Sequence, residues 1–145
     1  MADYYTHFSC LLDTGSPENA AKAMALFHRL RAEEADSDEP AFNGFELAQR
    51  DGPSGSQLWL HDDDQGDVEG VINFVLRLAE ELSLTGLWGF DFAHTCSRPR
   101  VEAFGGGAHV IDLGARKSLG WISTQEWLNA VLNGEDIDAA EAVAG

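Results

Sequence analysis

The sequence predicts an α+β fold of ferredoxin-like order, β-α-β-β-α-β, with one antiparallel sheet carrying two helices on one face. A C-terminal hairpin and a short helix extend it. Three observations predict this. Short alternating apolar runs stand at 4–12, 42–49, 57–61 and 87–96, the pattern of half-buried strands. Two longer stretches, 16–34 and 67–84, repeat apolar residues at helical spacing. Their order gives strand, helix, strand twice over. With 145 residues the chain fits a single domain over 1–134, followed at 135–145 by an acidic, Ala-rich tail expected to be flexible.

In the first strand Phe8, Cys10 and Leu12 share one face and His7, Ser9 and Leu11 the other. Ser16 is a good N-cap, and Pro17 suits the first helical position because its missing N–H costs nothing there. Ala20, Ala23, Met24, Phe27 and Leu30 make the buried stripe of the helix that follows. The strands at 42–49 and 57–61 are spaced as a hairpin across the turn residues at 51–55. Asp67 can cap the second helix, where Val68, Val71, Ile72, Val75, Leu78, Ala79 and Leu82 recur. Thr85-Gly86 stops it, and Phe90 and Phe92 share a face of the strand at 87–96. Val101–Phe104 and Ala108–Leu113 read as a hairpin around Gly105-Gly106-Gly107, and 119–122 as a last strand. Ser123 and Glu126 form a capping box, with Ile122 and Trp127 placed as a hydrophobic staple.

Lys plus Arg number 9 and Asp plus Glu 25, a formal net charge of −16. Nucleic-acid binding through phosphates needs clustered Lys and Arg, so direct binding is not expected. Adsorption to an anionic membrane is excluded on the same ground. Apolar residues at 44% supply a core, so the charge does not imply disorder. Two cysteines, Cys10 and Cys96, are too few for a disulfide framework and read as small core residues. The first residues carry no basic stretch followed by an apolar run. A cytoplasmic setting is therefore expected.

The charge is uneven. Glu33, Glu34, Asp36, Asp38 and Glu39 follow the first helix, and Asp62, Asp63, Asp64, Asp67 and Glu69 lead into the second. The expected topology puts both loops at one end of the sheet, with the Arg98–Arg100 turn nearby. Solvation and helix capping account for such acids; a row of carboxylates can also imitate a phosphate backbone and occupy a Lys/Arg groove. These ten acids, with Trp59 as an apolar anchor, are the candidate partner-binding residues. The expectation is a non-enzymatic binding protein acting on a basic protein surface. In its sharpest form it inhibits a nucleic-acid-binding host-defence complex of the CRISPR or restriction kind. A homodimer whose charge serves solubility is a further reading.

Catalytic and metal patterns are weak. Counting from Asp62, a calcium loop needs ligands at positions 1, 3 and 5, Gly at 6 and Glu at 12; Gly66, Asp67 and Asn73 break the match. His94 and Cys96 share a strand face without an orienting third group, and two cysteines fall short of a zinc site. If the strand parities hold, His7, Trp59, His61 and Asp91 share the sheet face away from the helices, where two histidines and a carboxylate could hold a metal; the alternative to a binding protein is a small hydrolase or metal-dependent enzyme using His94, Cys96, His7, His61 or Asp91. Gly105-Gly106-Gly107 lacks the strand-to-helix step and the Lys of a phosphate loop. No cofactor is expected.

Overall fold

A computed structural model describes residues 3–38, 42–50, 55–63, 66–100 and 103–134. It is an α+β arrangement of two antiparallel sheets and three helices. Strands β1 (Tyr4–His7) and β2 (Ser9–Asp13) come first, then α1 (Pro17–Glu33). The hairpin β3 (Glu46–Arg50) and β4 (Gln57–His61) leads to α2 (Val68–Leu82). The chain ends its described course in β5 (Leu87–Cys96), β6 (Gly105–Asp112), β7 (Lys117–Ser123) and α3 (Thr124–Leu132).

The expected single sheet is instead two, ordered β1-β5-β6-β7 and β2-β4-β3. The cause lies at Phe8. The first extended segment pairs its front half with β5, His7 opposite Ala93, and its rear half with β4, Ser9 opposite His61. Between the two halves the Phe8 amide donates to Asp62 Oδ1, while the Phe8 carbonyl accepts from the Asp62 amide, both at 3.0 Å. Phe8 itself is buried and meets Phe90 edge-on at 6.1 Å. Beyond this point the indole of Trp88 donates to the Leu11 carbonyl at 2.8 Å where a ladder would otherwise run.

The helices follow their caps. Ser16 accepts from the Asn19 amide with Pro17 at N1; Asp67 accepts from the Glu69 amide; Ser123 accepts from the Glu126 amide. In α1 Leu26 is buried where Met24 was expected; Met24 is only half-buried. The second strand begins at Glu46 rather than at 42, because 42–45 leaves the sheet to cross the ends of both helices. There Phe45 is fully buried, its ring 5.3 Å from Phe27 and 5.6 Å from Phe74. These three rings centre the core under α1 and α2.

The glycine triplet is not a hairpin tip. It opens β6, pairing Gly107 with Phe92 and Ser123. A Cβ at Gly106 would overlap the Phe92 carbonyl oxygen, and one at Gly107 that of Ile122, so the strands close up because side chains are missing. The C-terminal addition is therefore a pair of strands continuing the β5 sheet. Residues 101–102 and the expected tail, 135–145, lie outside the described residues. No described helix is long and apolar enough to cross a membrane.

Candidate binding surface

Arg31, in the last turn of α1, builds the acidic end of the molecule. Its guanidinium lies 4.7 Å from the Phe27 ring centre and 5.9 Å from that of Phe45. It donates to the carbonyls of Phe42 (3.2 Å) and Phe45 and stands 3.8 Å from Glu46. This holds 42–45 across the end of α1. The same segment reaches α2, where the Asp67 amide donates to the Gly44 carbonyl at 3.0 Å. At the α1 side the Phe42 amide donates to Glu34 Oε2 at 3.1 Å. The two acidic loops thus meet at one end, laced by a four-residue strap.

The approach is close enough to require glycine twice. Gly44 has φ +83° and no room for a Cβ beside Asp67; a Cβ at Gly70 would overlap the Asn43 carbonyl oxygen. The turn after β5 lies at this end too. The Ser97 amide donates to the Asp3 carbonyl ahead of β1, and the Gly66 amide of the second acidic loop donates to Thr6 within β1.

The carboxylates at this end divide by role. Glu33, Asp36, Asp38, Asp63, Asp67 and Glu69 are exposed. Glu34 is half-buried and holds Phe42. Asp67 caps α2, and with Glu69 it lies at the end of that helix where negative charge is favoured. Asp62 turns inward to the break at Phe8. Glu39 and Asp64 lie outside the described residues. Trp59 lies on the outer sheet face, donating from its indole to Ser9 Oγ at 2.7 Å with its ring 4.2 Å from His61.

The strand registers put His7, Trp59, His61 and Asp91 on one face, since His7 opposes Ala93 and His61 opposes Ser9. His7 Nδ1 lies 3.0 Å from Asp62 Oδ2 and its Nε2 lies 3.1 Å from Thr95 Oγ1. The order carboxylate, imidazole, hydroxyl is that of an acid–base relay. An open cleft of about 290 Å³ beside it is lined by His7, Phe8, Ser9, Asp62, Asp91, Phe92 and Ala93, without Thr95. His94 points to the opposite face from His7 and pairs through Nδ1 with Thr6 Oγ1 at 3.0 Å. Cys10, on the helix side, has its thiol pushed up to about 12, first by burial and then by the charge of Asp91. Among the described residues no group of three or more His, Cys, Asp or Glu side chains could hold a metal ion.

Arg31, Gly44 and Thr95 did not stand out from the sequence. A lone arginine near a helix end carries no sign of which carbonyls it will meet, and Thr95 matters only once β1 and β5 are in register. No family model matches the chain, and no curated protein and no solved structure does so either.

Proposed function

We propose that the protein is a non-enzymatic, cytoplasmic binding protein whose acidic end engages a basic protein surface. In its sharpest form it inhibits a nucleic-acid-binding host-defence complex of the CRISPR or restriction kind by standing in for the phosphate backbone. One observation carries the reading. Glu33, Asp36 and Asp38 are exposed at the C-terminal end of α1, where a helix favours cations and disfavours carboxylates. Local helix stability explains Asp67 and Glu69 but not these, and the strap 42–45 gathers both sets at one end. On the fold, we read the two sheets as one ferredoxin-like sheet opened at Phe8. In support, β1 and β2 are consecutive parts of one extended segment, flanked by β5 and by β4, with β3 outside β4.

The test uses a variant carrying Glu33→Gln, Asp36→Asn, Asp38→Asn and Glu69→Gln, which leaves the structural carboxylates of Glu34, Asp62 and Asp67 in place. The unmodified chain should capture a nucleic-acid-binding protein from host lysate. Raising salt from about 50 to about 200 mM should release it steeply, and duplex DNA should compete. The variant should lose capture while keeping its circular dichroism. A partner held equally by the variant, indifferent to salt and DNA, would sink the reading.

A second reading rests on the Asp62–His7–Thr95 series beside its cleft, namely a small hydrolase with His7 as general base. Hydrolysis of an activated phenyl ester that disappears in His7→Ala would favour it. Equal rates in the two proteins would remove it.

A further inference from the structure

Between α1 and α2, on their exposed side, lies a groove of about 460 Å³ that the acidic end does not use. Its floor is aliphatic, made by Ala25 and Leu26 of α1 with Leu78 and Leu82 of α2. The rings of Phe27, Phe45 and Phe74 pack together nearer the acidic end, and none of them lines the groove. We propose that this groove binds an aliphatic carboxylate, with its chain on the leucine floor and its head group at Lys22 and Arg29.

Cations gather at the rim of an otherwise acidic chain. Lys22 and Arg29 line the groove, and Glu81 is the one carboxylate in its lining. Glu81 is already shared, 3.8 Å from Arg29 across the groove and 3.3 Å from Arg77 on its own helix. Among the described residues Lys22 has no ion pair, and Glu18, Glu33 and Glu80 of the same two helices enter none. One carboxylate against three cations leaves these bases able to take a second. The net charge of the chain does not forbid it. Lys22 stands about 16 Å from Glu33 along α1, at about 1.5 Å per residue. That is twice the screening length of about 8 Å at physiological ionic strength.

The lining selects among anions. A volume of about 460 Å³ falls within the range of small-molecule sites, about 300–1,000 Å³. Apart from its charged groups the groove offers no hydrogen-bonding side chain, which a sugar or a nucleobase would need to be held in one orientation. An alkyl chain needs none and gains from the leucines. Lys22 and Arg29 lie two turns apart on one face of α1, with Ala25 and Leu26 between them, so their long side chains can close on one head group. A carboxylate fits the guanidinium fork with two parallel hydrogen bonds. The Arg29–Glu81 contact joins side chains that are 55% and 42% exposed. Such a contact contributes little, so loosening it for a ligand costs little.

Nuclear magnetic resonance titration of the nitrogen-15-labelled full chain tests the proposal, with hexanoate, octanoate and 1-hexanol as probes. Both acids should shift amides of α1 and α2. Octanoate should bind about tenfold more tightly than hexanoate, because it buries two more methylenes. Hexanol, which has the chain without the charge, should bind at least about tenfold more weakly than hexanoate. Lys22→Gln with Arg29→Gln changes two exposed side chains, so the circular dichroism should persist while octanoate affinity falls at least about tenfold. Ala25→Phe, also at an exposed position, should fill the groove and abolish binding. The four-acid variant above should bind octanoate at least as tightly as the unmodified chain, which separates the groove from the acidic end. Acids that leave the amides of α1 and α2 unmoved overturn the proposal. So does hexanol that matches hexanoate, or a folded Lys22→Gln, Arg29→Gln protein that binds octanoate as the unmodified chain does.

Discussion

Replacing Gly70 with Ala should destabilise the protein, although the same change inside a helix ordinarily stabilises. Gly70 lies in the first turn of α2 and is buried. Helix propensity alone favours Ala by at most about 1 kcal/mol. Here the new methyl would stand under 3.0 Å from the Asn43 carbonyl oxygen, a separation side-chain carbons do not adopt. Relief requires moving the strap 42–45, and the strap is held by Arg31 at Phe42 and Phe45 and by the Asp67 amide at Gly44. Overpacking of this kind costs about 1–3 kcal/mol, and losing one of those hydrogen bonds adds about 1 kcal/mol. The net expectation is a loss of about 1–3 kcal/mol. Equilibrium urea unfolding measures it as a lower midpoint at unchanged slope. A higher midpoint, by the amount propensity predicts, would show that the strap does not press on α2. The account of how the acidic loops are gathered would fall with it.

Two other expectations concern the break between the sheets. Asp62→Ala removes the acceptor of the Phe8 amide and the partner of His7, and should cost about 1–3 kcal/mol, mostly for the stranded amide. Asp62→Asn should cost less, and urea unfolding that finds Ala within about 0.5 kcal/mol of the unmodified chain would contradict Asp62 as the stitch. Cys10 should resist iodoacetamide in the folded protein at mildly alkaline pH, because its thiol is pushed up to about 12 and the thiolate is the reactive form. The folded state holds that proton more tightly than the unfolded state does. Cys10 therefore stabilises below about pH 9 and loses its contribution as pH rises toward 12. Rapid Cys10 labelling before unfolding, read by mass spectrometry, would contradict the burial.

What the sequence determined by itself is what short-range physics controls. The caps Ser16, Asp67 and Ser123 act where the residue types placed them, because an N-cap needs only its own next three residues. The strands at 57–61 and 87–96 keep the predicted limits, since alternation is a local signal. The parity that puts His7, Trp59, His61 and Asp91 on one face also follows from alternation, carried across Phe8 without a slip.

What only the tertiary structure decided depends on residues far apart in the chain. Glu34, Phe42, Gly44 and Asp67 have to meet before the two acidic loops become one surface. Asp62 joins the two sheets at Phe8, its carboxylate accepting from the Phe8 amide and its own amide donating to the Phe8 carbonyl, a contact between residues 54 apart in the chain. The strand at 42–49 lost its first half for the same reason. Phe42 and Phe45 stand three apart, out of strand alternation, and burying Phe45 between Phe27 and Phe74 while Arg31 satisfies the Phe42 and Phe45 carbonyls gives those residues a better place off the sheet. The glycine triplet reads as a turn until its neighbours are known; in the sheet, Gly106 lets β5 and Gly107 lets β7 close onto β6, because a Cβ at either would overlap a neighbouring carbonyl oxygen. Local pattern therefore set the elements and their facing sides, while long-range partners set where one sheet gives way to the other and which charges share an end.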